Sequence, residues 1–294
     1  MQHARHRHRF GQKLLRFQRS EITEYEVYRR LAHQEKNAHN KKVLQRIAED
    51  ERGHAHFWKD FTKKEIHPNW WKVRLFTWIA KILGLTFGVR LMERGEEQAQ
   101  KDYKEILKEI PQAEKVLEDE KRHEQELIEC LNERKLQYVG SVVLGLNDAL
   151  VELTGALAGL TFALQNTKLI AIVGLITGIA ASFSMAASEY LSTKSEGQTE
   201  KNAGTSAIYT GLAYIITVLL LILPYLLQPD YFLALALMLA VALFIIFAFN
   251  FYISVAKNEP FFKRFFEMAG ISLGVAALSF GIGIVVRMWL GVDV

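Results

Sequence analysis

Hydrophobic and polar positions divide this chain into two parts with different patterns. From residue 20 to residue 135, apolar residues recur at three- and four-residue spacing among many charges, the mark of amphipathic helices. From Tyr138 onward, five apolar segments follow one another: Tyr138–Leu164, Lys168–Leu191, Ala203–Leu227, Tyr231–Val255 and Phe265–Leu290. Each is long enough to cross a bilayer as a helix, for which ~20 residues suffice. The pattern predicts an all-α chain, with a helical bundle over 20–135 and a five-span α-helical transmembrane domain over 136–294.

Within the first part, Ser20 is a candidate cap for a helix whose stripe carries Glu21, Glu24, Tyr28, Leu31 and Glu35. A second helix follows the Asn37–Asn40 turn and ends before Pro68. A third runs through Glu93, Glu96, Glu97 and Tyr103, and a fourth follows Pro111. Between the pairs lies Trp70–Met92, apolar but interrupted by Lys72, Arg74, Lys81 and Arg90. It reads as a segment resting on a membrane, with its Trp at headgroup level and its Lys and Arg snorkelling, or as the crossover between two helix pairs plus the start of the third helix, two readings that are compatible. Residues 1–19 read as a basic His-rich tail outside the bundle, and its opening Met1–Arg9 reads as a disordered segment in preference to a metal- or phosphate-binding one.

Composition sharpens the division. Residues 1–137 hold 23 Asp and Glu, 29 Lys and Arg, and all nine His; residues 138–294 hold only 9 acidic and 7 basic residues. One part is built for water and the other for lipid. The mixed charge of the first part suits a domain beside anionic headgroups and does not call for nucleic acid. Cys130 is the sole cysteine, so no internal disulfide forms. The N-terminus lacks an apolar signal core and is expected to stay where it is made. Basic residues in the Thr193–Asn202 and Lys257–Arg264 connections, and none in Gln165–Thr167 or Gln228–Asp230, put the first domain in the cytoplasm and the C-terminus outside.

Two motifs carry chemistry in the first part. Glu51-Arg-Gly-His54 and Glu120-Lys-Arg-His123 each set a carboxylate and an imidazole one turn apart, and each follows a Glu-bearing helix. One such motif means little, but two in a duplicated helix pair make the pattern of dinuclear carboxylate bundles. Carboxylate oxygens with one imidazole per metal suit iron, and manganese second. In the second part, Asp148 and Glu152 share one face near the middle of the first span, and Met185 and Glu189 share one face of the second. An acid at mid-membrane costs ~2.5–3.5 kcal/mol and usually marks an ion or proton pathway. Gly155-xxx-Gly159, Gly174-xxx-Gly178 and Gly270-xxx-Gly274 predict close helix packing.

Residues 20–135 resemble the rubrerythrin branch of the ferritin-like family. That resemblance implies a dinuclear iron site from Glu21, Glu51, His54, Glu96 with Glu93 nearby, Glu120 and His123, but without the four-cysteine rubredoxin module of complete rubrerythrins. The segments VLGLNDALVELTGALAGL and GIAASFSMAASEYLSTKSEG make residues 138–294 resemble the vacuolar iron transporter family. This implies a five-span homodimer that moves Fe(II) or Mn(II) out of the cytoplasm in exchange for protons. Asp148 and Met185 fall on that family's pathway positions, with Glu152 and Glu189 as further metal or proton carboxylates. The Ser192–Ser206 connection is too short for the metal-collecting insert of plant and protist members. The fusion resembles the bacterial and archaeal membrane-bound ferritins, which implies a prokaryotic inner membrane. The competing expectation is an enzyme, a membrane-anchored ferroxidase or peroxide-reducing di-iron protein whose spans only tether it.

Overall fold

The computed structural model describes residues 2–94, 106–130, 138–196 and 202–290, and leaves aside the side chains of residues 2–8, 93, 124, 128–130 and 290. All its regular elements are helical, and the chain forms two compact units, Met1–Glu133 and Arg134–Val294.

In the first unit, α1 (Gln2–Gln34) and α2 (Ala38–Thr62) form a hairpin. Asn37 turns the chain: its side chain accepts from the backbone N–H of His39 and Asn40 and caps α2. The pairing of Gln18 with Thr62 and of Glu21 with Trp58 fixes the two helices antiparallel. The expected tail and the expected cap at Ser20 are both overturned. The helix runs through them, Leu14 and Phe17 are buried, and Ser20 donates from mid-helix to Glu24 at 2.7 Å. Phe10, Leu14 and Phe17 extend the apolar stripe of Glu21, Tyr28 and Leu31 backward at helical spacing, a period that the surrounding His and Arg obscure.

Lys63 closes α2 in the left-handed region, and Asn69 caps α3 (Trp70–Leu83). Thr23 of α1 accepts from the Asn69 backbone N–H at 2.9 Å, which ties the entry of α3 to the hairpin. Gly84, at φ 102°, breaks α3 from α4 (Leu85–Arg94), and Gly88 lets α4 fold back against Ala80. Val73, Ala80, Val89 and Met92 join the core of Val27, Leu31, Leu44 and Ile47, so this stretch packs into the first unit through one face. Residues 106–109 are helical, Pro111–Ala113 form a 3-10 turn, and α5 (Glu114–Cys130) packs on α2. Pro111 suits a helix start, where its missing N–H costs nothing. The third-helix positions Glu96, Glu97 and Tyr103, and the side chain of Glu93, lie outside the described residues.

The second unit holds α6 (Val139–Leu164), α7 (Thr167–Ser195), α8 (Ala203–Leu227), α9 (Tyr231–Lys257) and α10 (Phe261–Leu290). All five are long and apolar enough to span a membrane, and their limits match the expected segments within a few residues. Asn166, Asn202 and Asp230 cap three of them through their side-chain oxygens. The first span, α6, packs against all four others. Its Ala149, Leu150, Leu153 and Leu157 form one side of a core completed by Tyr214, Val218 and Leu221 of α8 and Met238 and Ala242 of α9. Lipid gives no hydrophobic drive for helices to associate, so close approach and interhelical hydrogen bonds do that work. At Gly145 a Cβ would strike the Thr210 carbonyl, and at Gly283 it would strike the Gly159 carbonyl. Thr210 donates to the Ser141 carbonyl and Ser272 to the Leu150 carbonyl, both at 2.9 Å. The expectation at Gly270 and Gly274 fails within the single chain: nothing lies within 4 Å of a Cβ built at either.

Candidate metal centres

Glu21 of α1, Glu51 and His54 of α2, and Glu120 of α5 converge, each offering an atom within 4.8 Å of the others. His54 Nδ1 lies 3.1 Å from Glu120, 3.4 Å from Glu51 and 3.6 Å from Glu21. Glu21 is held from behind, accepting a hydrogen bond from the Trp58 indole at 3.0 Å. His123 adds a second imidazole, with Nδ1 3.2 Å from Glu51 and its ring stacked 5.8 Å from that of His54. The structure therefore brings Glu21, Glu51, His54, Glu120 and His123 together.

Burial makes this cluster costly as it stands. Desolvation pushes Glu21 up to about 7 against the pull of His54, and burial with the nearby Glu21 charge raises Glu120. Burial alone would lower both imidazoles. Instead, the carboxylates of Glu120, Glu21 and Glu51 close around His54 carry it well above its usual range, and Glu51 and Asp50 carry His123 to about 9. The site thus holds protons where a cation would serve. Three buried atoms aimed into it, Glu51 Oε2, His54 Nδ1 and Glu120 Oε1, make no hydrogen bond. Unsatisfied oxygens and one imidazole nitrogen facing a common point fit a hard or borderline transition-metal ion such as iron or manganese.

The carboxylates behind this cluster escaped the sequence reading. Asp50 takes the outer face of His123, with Oδ2 3.0 Å from Nε2, and Asp119 lies 3.4 Å from His54 Nε2. The arrangement is reciprocal: the Asp on α2 serves the His on α5, and the Asp on α5 serves the His on α2. Such outer partners orient a ligating imidazole and set its tautomer. Arg122 bridges the two acids, 2.6 Å from Asp119 and 3.2 Å from Asp50, and it helps hold Asp119 below the usual carboxylate range, with His54, against burial. The signal was present in the chain, because both motifs read Glu-Asp-Glu-x-x-His, at Glu49–His54 and Glu118–His123.

In the membrane unit, Ser141 of α6 donates to Glu189 of α7 at 2.6 Å, fixing the register of these adjacent helices. Counted from that pair at ~1.5 Å per residue, Asp148 lies ~10 Å further along α6, roughly level with Ser182, and Met185 lies about one turn nearer the pair. Glu189 and Asp148 are therefore separate stations on one seam. Met185 packs half-buried against the membrane core. One turn beyond Asp148, Glu152 accepts from the Tyr214 hydroxyl at 2.9 Å. Tyr214 comes from the middle of an apolar span, where nothing in the sequence marked it. Beyond Glu152 opens a cavity of about 500 Å³ lined by α6, α7, α8 and α10, with Thr177 and Ser279 among its few polar groups. Glu152 itself is exposed on the single chain.

No curated protein matches this chain. Residues 139–205, which include Asp148, Glu152, Met185 and Glu189, match the model of the VIT family, the vacuolar iron transporters, and over this segment the chain is similar to transition-metal transporters of the membrane.

Proposed function

We propose that this chain exports Fe(II), with Mn(II) as a second cargo, from the cytoplasm of a prokaryotic cell in exchange for protons. The observation that carries the reading is the line of acids on the α6–α7 seam, Glu189, Asp148 and Glu152, inside the segment that matches a metal-transporter family. Moving a 2+ ion outward against an inside-negative potential of 100 mV costs about 4.6 kcal/mol, so an opposing flow of protons is the natural drive. Asp148 with Met185 holds the ion, and Glu152 or Glu189 takes protons in turn. Exposure of Glu152 on the single chain supports a homodimer, since a second copy over this seam would keep a carboxylate out of hydrocarbon.

The bundle sits on the cytoplasmic side and holds a dinuclear iron centre. Glu21, Glu51, His54 and Glu120 would hold one ion, and His123 with Glu51 and Glu120 would contribute to the second, together with a third-helix carboxylate from Glu93 or Glu96. When bound, that metal pair supplies redox chemistry toward oxygen or peroxide. The protein's own share is to bury the carboxylates, orient both imidazoles through Asp50 and Asp119, and release protons as metal enters. Metal capture, oxidation and sensing are all compatible with these residues.

The test is uptake of Fe(II) and Mn(II) into proteoliposomes of known orientation, with wild type beside Asp148→Ala and Glu51→Ala. Loss of transport in Asp148→Ala with bundle metal retained is expected; transport unchanged in that variant refutes the pathway. The buried cluster also supports the enzymatic reading. Fe(II) oxidation that survives Asp148→Ala in chains that never transported metal would favour it.

A further inference from the structure

Helix α3 has two apolar faces, and the bundle uses one. Val73 and Ala80 point into the core. On the opposite side, Trp71 is 70 % exposed, Trp78 62 % and Ile82 52 %. At 100° per residue these three lie within about 40° of one another, a continuous stripe along the helix. Lys72 flanks the stripe on one side and Arg74 and Lys81 on the other, all exposed. No acidic residue occurs between Trp70 and Met92. Aqueous proteins rarely leave two aligned Trp side chains in water, and such patches mark interaction sites.

We propose that α3 lies on the anionic headgroup surface of a bilayer, with Trp71, Trp78 and Ile82 at the acyl boundary and Lys72, Arg74 and Lys81 among the phosphates. The metal-transport reading neither requires nor uses this face. Indole at headgroup level with flanking Lys and Arg is the chemistry of interfacial helices. A second copy fits less well: an isologous contact across this stripe would bring Lys72, Arg74 and Lys81 against themselves with no acid to meet them. A bilayer is also at hand, because the same chain carries five helices long and apolar enough to span one.

The experiment uses the full chain in vesicles containing phosphatidylglycerol and a lipid spin-labelled at its headgroup. The fluorescence difference between wild type and W71F/W78F isolates the two indoles. That difference signal is expected to be quenched by the labelled lipid and shielded from aqueous acrylamide. Charge reversal of Lys72, Arg74 and Lys81 to Glu, which leaves both Trp in place, removes about 1 kcal/mol of attraction per basic residue. The docking equilibrium should therefore fall by at least about 100-fold, as should lipid quenching in purely zwitterionic vesicles at high salt. Acrylamide reaching both indoles freely would overturn the proposal. So would shielding from acrylamide without lipid quenching, the signature of a protein partner or second copy, and so would lipid quenching indifferent to charge reversal.

Discussion

Asp50 offers the sharpest test of the metal centre, because it touches the proposed ligand His123 and not the metal itself. Its Oδ2 accepts from His123 Nε2 at 3.0 Å, while the opposite nitrogen, Nδ1, faces Glu51 at 3.2 Å. Removing the acceptor frees the ring to rotate and leaves Arg122, 3.2 Å from the same oxygen, beside the imidazole. Loss of such an outer partner costs roughly 10–100-fold in metal affinity, or about 1.4–2.7 kcal/mol. Asp50→Ala should fall at the upper end, since it deletes both the acceptor and the charge that offsets Arg122. Asp50→Asn keeps an acceptor oxygen and should fall at the lower end. Asp119→Ala should cost less than Asp50→Ala, because 3.4 Å is long for a hydrogen bond. The assay is Mn(II) binding against a competing chelator, using the purified full chain carrying Asp148→Ala so that the membrane pathway does not contribute. Glu49→Ala, on the same helix but with a side chain 66 % exposed, is the control and should leave affinity unchanged. Equal affinity in Asp50→Ala and Glu49→Ala would refute the reciprocal arrangement.

Other outcomes follow from the same geometry. Glu21 has a folded pKa of about 7 against 4.5, and His123 about 9 against 6.5, so the folded metal-free bundle holds more protons than the unfolded chain from about pH 4.5 to 9. Its stability should therefore fall as pH rises through that window, and bound metal should remove or reverse the slope in thermal unfolding followed by Trp fluorescence. Tyr214→Phe removes the hydrogen bond to Glu152 and should slow proteoliposome metal uptake roughly five- to tenfold, for a bond worth ~1–1.5 kcal/mol, while bundle metal content stays unchanged. In the membrane unit, Gly145→Leu drives a side chain into the Thr210 carbonyl and should destabilise the detergent-solubilised chain by ~1–3 kcal/mol. Gly274→Ala meets open space and should stay within about 0.5 kcal/mol of wild type.

The sequence by itself determined the parts that depend on local periodicity and solvent preference. Five apolar runs must be helices in lipid, since only a helix satisfies its own backbone there, and their limits agree with the structure within a few residues. Glu51 and His54, like Glu120 and His123, share helix faces by spacing alone. The same logic misjudged residues 10–19, where Phe10, Leu14 and Phe17, set among Lys13, Arg16 and Arg19, were enough to continue α1. Tertiary structure alone decided which faces meet. Asp50 serves His123 and not its own neighbour His54, a choice made by how α2 packs on α5 and invisible to the spacing within either helix. Tyr214 finds Glu152, and Gly270 finds nothing, for the same reason. A helix sequence says which residues share a side; the packing angle and register of its neighbours, set by side-chain volume across the whole unit, say what that side touches.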